Sequence, residues 1–278
     1  MKTIAVASLK GGVGKTTTAA NLGAALARRE RGGVLLVDLD PRNQLGMHIG
    51  LATDGAGLAE ASIRGVSWER VVQRSLDDVS CLPFGAHRDG LAAELDALLA
   101  RRPDLLGDSL AEQSLQANRL VVLDTAPWPS PLFDQALALA DLVLVVLLAD
   151  AASFATLPML RSLISRRRRG DAARTLVLLN CVDASRLGRD VRALVAAQPQ
   201  LPLLPLVIHR DAAVPEALAL QRPVIAASPS SQAADDFDGV AEWLLRSLGA
   251  DSEARLPSAS RREAIAVTDL SSAHGVSR

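Results

Sequence analysis

The eight residues Lys10-Gly11-Gly12-Val13-Gly14-Lys15-Thr16-Thr17 carry the most specific chemistry in the chain. They stand between a short apolar run, residues 3–8, and a long Ala/Leu stretch of helical period, residues 15–29. Glycine at positions 11, 12 and 14 lets the backbone turn so that successive N–H groups point inward, and a helix opening near Lys15 adds the positive end of its dipole. Such a nest suits the β- and γ-phosphates of a nucleotide. In this arrangement, a P-loop, Lys15 lies along the phosphates and the Thr16 hydroxyl completes the shell of a Mg2+ ion. A glycine-rich turn with no ligand is the alternative, and the strand-loop-helix context weighs against it.

Two more segments end strand-like runs in carboxylates. Residues 34–37 lead into Asp38-Leu39-Asp40-Pro41, so the chain leaves the run with carboxylates on alternate positions. Residues 120–123 lead into Asp124-Thr125-Ala126-Pro127, an apolar strand with the terminal Asp of a Walker B motif, whose carboxylate would hold a Mg2+-bound water. Taken singly, each Asp reads equally as a turn or capping carboxylate. In this order along one chain they read as a single Mg-ATP site.

Positioning these groups together requires a particular fold. Short β-branched or Leu-rich runs at residues 3–8, 34–38, 80–83, 120–124, 142–148, 175–180 and 203–208 read as strands. Stretches of helical period at 15–29, 90–101, 153–166, 189–197, 212–220 and 231–248 read as the clearest helices between them. Their alternation predicts an α/β fold, a doubly wound and mostly parallel sheet flanked by helices, with the chemistry along one edge. One domain is expected over residues 1–249. Residues 250–278, rich in Ser, Arg, Glu, Ala and Gly, read as a disordered tail.

Composition narrows the partners. With 30 basic and 31 acidic residues the net charge is -1, so no global field draws the protein to nucleic acid or to an anionic membrane. Tyr is absent, which leaves little material for base-stacking platforms. The run at 142–149 is far shorter than the ~20 residues a membrane span needs. No signal-peptide pattern follows Met1, and Cys81 and Cys181 stand in neither a metal-binding nor a secretory spacing. The expected setting is the cytoplasm.

The loop departs from the standard pattern in one informative place: Leu9 stands where the ordinary loop has glycine, and Lys10 adds a second lysine. This resembles the deviant Walker A motif of the ParA/MinD family, and the resemblance covers nearly all of residues 1–248. It implies that Lys10 reaches across a two-fold axis to phosphates bound by a partner subunit, so that ATP is sandwiched in a homodimer. By the same resemblance Asp40 orients the attacking water, Asp38 supports the Mg2+ shell, and Asn180 reads the edge of adenine. The family usually has Gln after the proline of Asp40-Pro41, whereas this chain has Arg42.

Within that family, Leu204-Pro205-Leu206-Val207-Ile208-His209-Arg210-Asp211, followed by Glu216 and Pro223-Val224, is similar to the BcsQ branch associated with bacterial cellulose secretion. Cys81-Leu82-Pro83-Phe84-Gly85, with Trp68 in a short acidic-basic helix before it, supports the same likeness. The turn at His209, Arg210 and Asp211 could close over the nucleotide base, or Asp211 could simply cap the next helix. The branch implies a small BcsR-like partner and recruitment to the inner-membrane cellulose synthase complex. A ParA-type partition ATPase is the competing reading, with Arg166 to Arg169 as a nonspecific DNA contact, although four arginines ending a helix also suit its dipole and a solvated face. A membrane-targeting helix at 261–270 has too few large apolar residues, and two separate cysteines do not make a cluster site. A metabolic P-loop ligase is a further alternative.

Overall fold

The protein, seen here as a computed structural model, is described at residues 1–30, 33–112, 120–167, 174–198 and 201–254. It divides into two units, Met1–Ala241 and Glu242–Arg278. Runs such as Leu142–Leu148, LVLVVLL, leave no polar face to water, and they fold as strands covered on both sides. The strands are β1 Lys2–Ala7, β2 Val34–Asp38, β3 Gln73–Arg74, β4 Ser80–Leu82, β5 Leu120–Asp124, β6 Leu142–Leu148 and β7 Arg174–Asn180. They form one sheet in the order β3-β4-β2-β5-β1-β6-β7, parallel except where the edge strand β3 runs antiparallel to β4. The α/β architecture expected from the sequence is therefore present.

The helices are α1 Lys15–Arg29, α2 Leu58–Arg64, α3 Leu91–Arg101, α4 Leu105–Leu110, α5 Pro131–Leu139, α6 Ala151–Phe154, α7 Leu157–Arg167, α8 Arg186–Ala196, α9 Ala213–Ala219, α10 Val224–Ala227 and α11 Gln232–Ala254. Short 3-10 turns add Gly46–Ile49 and Trp68–Val71. Ala, Leu and Gly dominate the inner face of α1, which lets it lie close on the sheet: a Cβ on Gly23 would come within 2.2 Å of Leu36 Cδ2. Leu22 and Leu26 of that face are fully buried, each contributing roughly 1.5–3 kcal/mol relative to exposure. One continuous core runs through β2, β5, β6 and β7 and takes in Trp68, Phe84 and Phe133.

Two expected elements differ. Residues 203–208 are not a strand: Leu203 makes an isolated bridge to Val177, and the segment runs beside β7 through separated bonds such as Leu204 N–H to Val177 O (2.8 Å) and Ile208 N–H to Leu179 O (2.9 Å). Pro202 and Pro205 have no N–H to donate, so a continuous ladder cannot form. The helix expected at 153–166 is broken into α6 and α7, because Pro158 cannot donate back to the preceding turn. Helix α11 extends to Ala254, so it takes in the first residues of the tail expected at 250–278; residues 255–278 lie outside the described residues.

Candidate functional site

Strand β1 lies inside the sheet, between β5 and β6, and the residues that follow it form the phosphate-type loop. The buried Ser8 hydroxyl ties the turn by accepting from Lys10 N–H (3.2 Å) and donating to Lys10 O (3.3 Å). Gly12 and Gly14 both adopt left-handed backbone, with φ of 73° and 89°. Gly14 is also the one place in the loop where a side chain has no room, since a Cβ would meet Asn180 Nδ2 at 2.4 Å. Helix α1 opens directly behind, with Thr18 N–H on Gly14 O at 2.8 Å. Gly11 and Gly12 are exposed, Val13 and Lys15 are buried, and Thr16 and Thr17 are half-buried.

The ends of β2 and β5 bring two carboxylates together, Asp38 and Asp124 being register partners and both fully buried. Their roles differ. One Asp38 oxygen accepts Asp40 N–H and the other accepts Leu45 N–H, each at 2.9 Å, so Asp38 anchors the loop that carries Asp40. Asp38, expected to support a Mg2+ shell, thus has one backbone amide on each oxygen and keeps a second lone-pair direction on each. Burial, with Asp124 beside it, still holds its carboxyl well above the usual range.

Asp124, by contrast, has no hydrogen-bond partner on either oxygen. Burial pushes its pKa up to about 7. The Thr16 hydroxyl opposes that shift without closing a hydrogen bond, as does the Lys15 ammonium. Burial lowers the pKa of Lys15 in turn, against the pull of Asp124 and Asp40. A buried, unpartnered carboxylate beside a threonine hydroxyl at a helix N-terminus is the donor set of a hard divalent cation that takes its remaining oxygens from phosphate and water. Among the described residues no cluster of three His, Cys, Asp or Glu could hold a metal on its own.

Two expected catalytic side chains are engaged within the chain. Asp40 is clamped by Arg42, whose Nε lies 3.1 Å from both carboxylate oxygens and whose Nη2 lies 2.6 Å from Oδ2. Lys10 turns to Asp150, Nζ to Oδ2 at 2.7 Å, and that lysine side chain stays 30% exposed at the rim. Burial works to raise the pKa of Asp150, but Lys10 and the N–H of Ser153 outweigh it and hold the carboxyl low. Asp150 was missed as a site residue; its signal was its place at the end of β6, on the same sheet edge as Asp38 and Asp124.

A cavity of about 500 Å³ opens beside the loop, lined by Gly12, Gly14, Asn180, His209, Arg210 and Asp211 among others. The residues expected to meet a base therefore share one wall. Asn180, however, donates Nδ2 to Val13 O at 2.8 Å, stapling β7 to the loop. Asp211 accepts Ala213 N–H (2.9 Å) and Ala233 N–H (3.0 Å), joining the starts of α9 and α11, while the N-cap position of α9 itself is Ala212. His209 is held by Asp236 Oδ2, which accepts from its backbone N–H (2.7 Å) and lies 2.9 Å from Nδ1. Asp236 gave no sequence signal beyond being an acid near a helix start. Cys81 lies within β4 and Cys181 directly follows β7, on opposite sides of β1, and both are free, so no thiol pair exists. Arg166 is exposed near the end of α7, and residues 168–173 lie outside the described residues. No helix among the described residues is long and apolar enough to cross a membrane.

A family model described as cellulose biosynthesis protein BcsQ matches residues 1–245. The chromosome-partitioning ATPase Soj of Thermus thermophilus is 33% identical over 258 residues, covering 88% of this chain and 96% of that relative. The cellulose biosynthesis protein BcsQ of Salmonella typhimurium is 28% identical over 254 residues, covering 88% and 94%. Among solved structures, cobyrinic acid a,c-diamide synthase from Mycobacterium smegmatis with bound ATP analog and magnesium is similar with a TM-score of 0.73 at 28% identity, covering 88% of this chain and 95% of that one.

Proposed function

The chain belongs to the BcsQ family of ParA/MinD-type P-loop proteins, and from that premise we propose that it is a Mg2+-dependent ATPase switch that hydrolyses ATP as a face-to-face homodimer. The observation that carries the reading is the orphaned Asp124 carboxylate, buried beside Thr16 and Lys15 behind a glycine-rich nest. The half-buried Lys10 supports the dimer, because its ammonium is turned to the rim on Asp150 rather than into its own loop.

A bound Mg2+ would neutralise the negative charge of the phosphates. Thr16 and Asp124 would hold it, the latter through a water. The chain's own groups do the rest. The amides of 11–17 cradle the phosphates, Lys15 lies along them, Asp40 orients the attacking water, and Lys10 of the opposite subunit meets the charge that develops on the transferred group. The cavity walled by Asn180, His209 and Arg210 takes the base, with the Asn180 oxygen as an acceptor for the adenine amino group.

In cells, such a switch supports assembly or placement of the cellulose synthase secretion complex, recruited from the cytoplasm by a small BcsR-like partner. A partition role is the second reading, favoured by the 33% identity to Soj. Light scattering with Mg2+ and a non-hydrolysable ATP analogue tests the dimer, and a monomer at saturating nucleotide sinks it. Affinity capture from native membranes separates the cellular roles: recovery of cellulose synthase subunits supports the first, while nucleotide-dependent retention on DNA without them supports partition.

A further inference from the structure

Asp40 reaches its loop position buried, its side chain 6% exposed, while Arg42 two residues on keeps a guanidinium 56% exposed. Between them run four donor contacts. Arg42 N–H and Nε reach Oδ1 at 3.0 and 3.1 Å, and Nε and Nη2 reach Oδ2 at 3.1 and 2.6 Å. These contacts come from three N–H groups, since Nε has one hydrogen shared between the oxygens, and they take about three of the roughly four lone-pair directions of the carboxylate, which leaves little capacity for accepting a proton from water. The residue that performs the clamping is the one where this chain departs from the glutamine usual in the family. A neutral amide could not hold the carboxylate with comparable charge.

We propose that Arg42 is a positioning residue that keeps Asp40 out of the reaction until nucleotide draws the guanidinium away, so that it sets the basal rate of hydrolysis. The proposal rests on the reading of Asp40 as the carboxylate that orients the attacking water. Two features of the pair make release feasible. More than half of the guanidinium is in solvent, where an ion pair is weak and screened. Arg42 also lines a cavity of about 410 Å³ with Pro41, Phe84, His87 and Leu91, so it can leave Asp40 without displacing a core side chain. A competing anion would be close at hand, since Lys15 lies within electrostatic reach of Arg42 and a triphosphate held by that lysine would draw the guanidinium.

The test compares Mg-ATP turnover and nucleotide affinity in wild type, Arg42→Gln, Arg42→Lys, Asp40→Ala and the double variant Asp40→Ala/Arg42→Gln. Arg42→Gln is expected to raise kcat by about 3–10-fold with nucleotide affinity changed less than about twofold, and Arg42→Lys, which cannot clamp both oxygens at once, to fall between. Raising salt from about 50 to about 500 mM should speed wild type relative to Arg42→Gln, a response that a purely structural contact would not produce. Turnover in Arg42→Gln at or below wild type overturns the clamp, and so does an equal rise in the double variant, which would show that the effect bypasses Asp40. If Asp40→Ala alone keeps wild-type turnover, the underlying reading of Asp40 has failed, an outcome distinct from failure of the clamp.

Discussion

Replacing Asp124 with asparagine should make the nucleotide-free protein more stable while removing its response to Mg-nucleotide, and the size of both effects follows from the unpartnered carboxylate. In the unfolded chain the carboxyl ionises near its ordinary value of 3.8, whereas burial in the folded protein holds the proton until about pH 7. Between those limits the folded state binds more protons than the unfolded one, so stability falls as pH rises from about 4 to about 7 and is flat above. At about 1.36 kcal/mol per pH unit the full loss is roughly 4 kcal/mol, an upper bound because the interior relaxes around a charge. Asp38 acts in the same direction, and removing the neighbouring charge relieves it as well. An asparagine carries no such pH dependence but leaves a buried amide poorly paired, at about 1–3 kcal/mol. Asp124→Asn should therefore be near neutral at pH 5 and about 1–3 kcal/mol more stable than wild type at pH 8, a rise of about 3–10 °C in Tm. Urea denaturation of both proteins at the two pH values, with and without Mg-ADP, measures this. A variant less stable than wild type at pH 8, or a difference that ignores pH, refutes the reasoning.

Asp40→Ala should retain ATP binding and stall hydrolysis, so that a dimer accumulates on size-exclusion chromatography with Mg-ATP; a monomer under saturating nucleotide contradicts the assignment. Lys10→Ala should lower turnover by at least about 100-fold while nucleotide affinity stays within about threefold, if, as proposed, the phosphate it serves is bound by the opposite subunit. Equal loss of both in titration and single-turnover experiments would place Lys10 on its own loop. Gly14→Ala should destabilise by about 2 kcal/mol or more and abolish nucleotide binding, since alanine at φ 89° is strained and its Cβ would collide with Asn180. Gly11→Ala, whose Cβ would meet nothing within 4 Å, should leave the urea midpoint nearly unchanged and serves as the control.

Local chemistry was legible in the sequence, and partnership across the fold was not. Helix α1 begins and ends where its period does, because the glycine loop starts it and its Ala/Leu face is written without interruption. The strands that deliver Asp38 and Asp124 were equally plain, being apolar runs that end in a charge. Prolines misled where their missing N–H was given too little weight: Pro202 and Pro205 prevent a continuous ladder, and Pro158 divides α6 from α7. The spacing of Asp38 cannot reveal that two backbone amides, those of Asp40 and Leu45, bind it and make it the anchor of the loop that carries Asp40. Asp150 is 140 residues from Lys10, and only the adjacency of β1 and β6 makes them a pair.

These pairings imply how binding couples to conformation. Lys10 is held by Asp150, Asp40 by Arg42, and Asp124 by nothing. A Mg-nucleotide satisfies the last directly, since the cation and its waters supply what a buried carboxylate lacks. The other two groups can act on a phosphate or on a water only by leaving partners they already have. Both existing pairs are partly in solvent, so each is weak enough to exchange. Binding at Asp124 can therefore be tight without any catalytic group being in place, and hydrolysis waits on two separate exchanges. On the proposed homodimer one of them, that of Lys10, would be completed only when a second subunit presents a phosphate. An ATP-bound dimer that persists before it turns over is the behaviour this arrangement produces, and a protein whose first turnover is as fast as a monomer as at concentrations that drive pairing would contradict it.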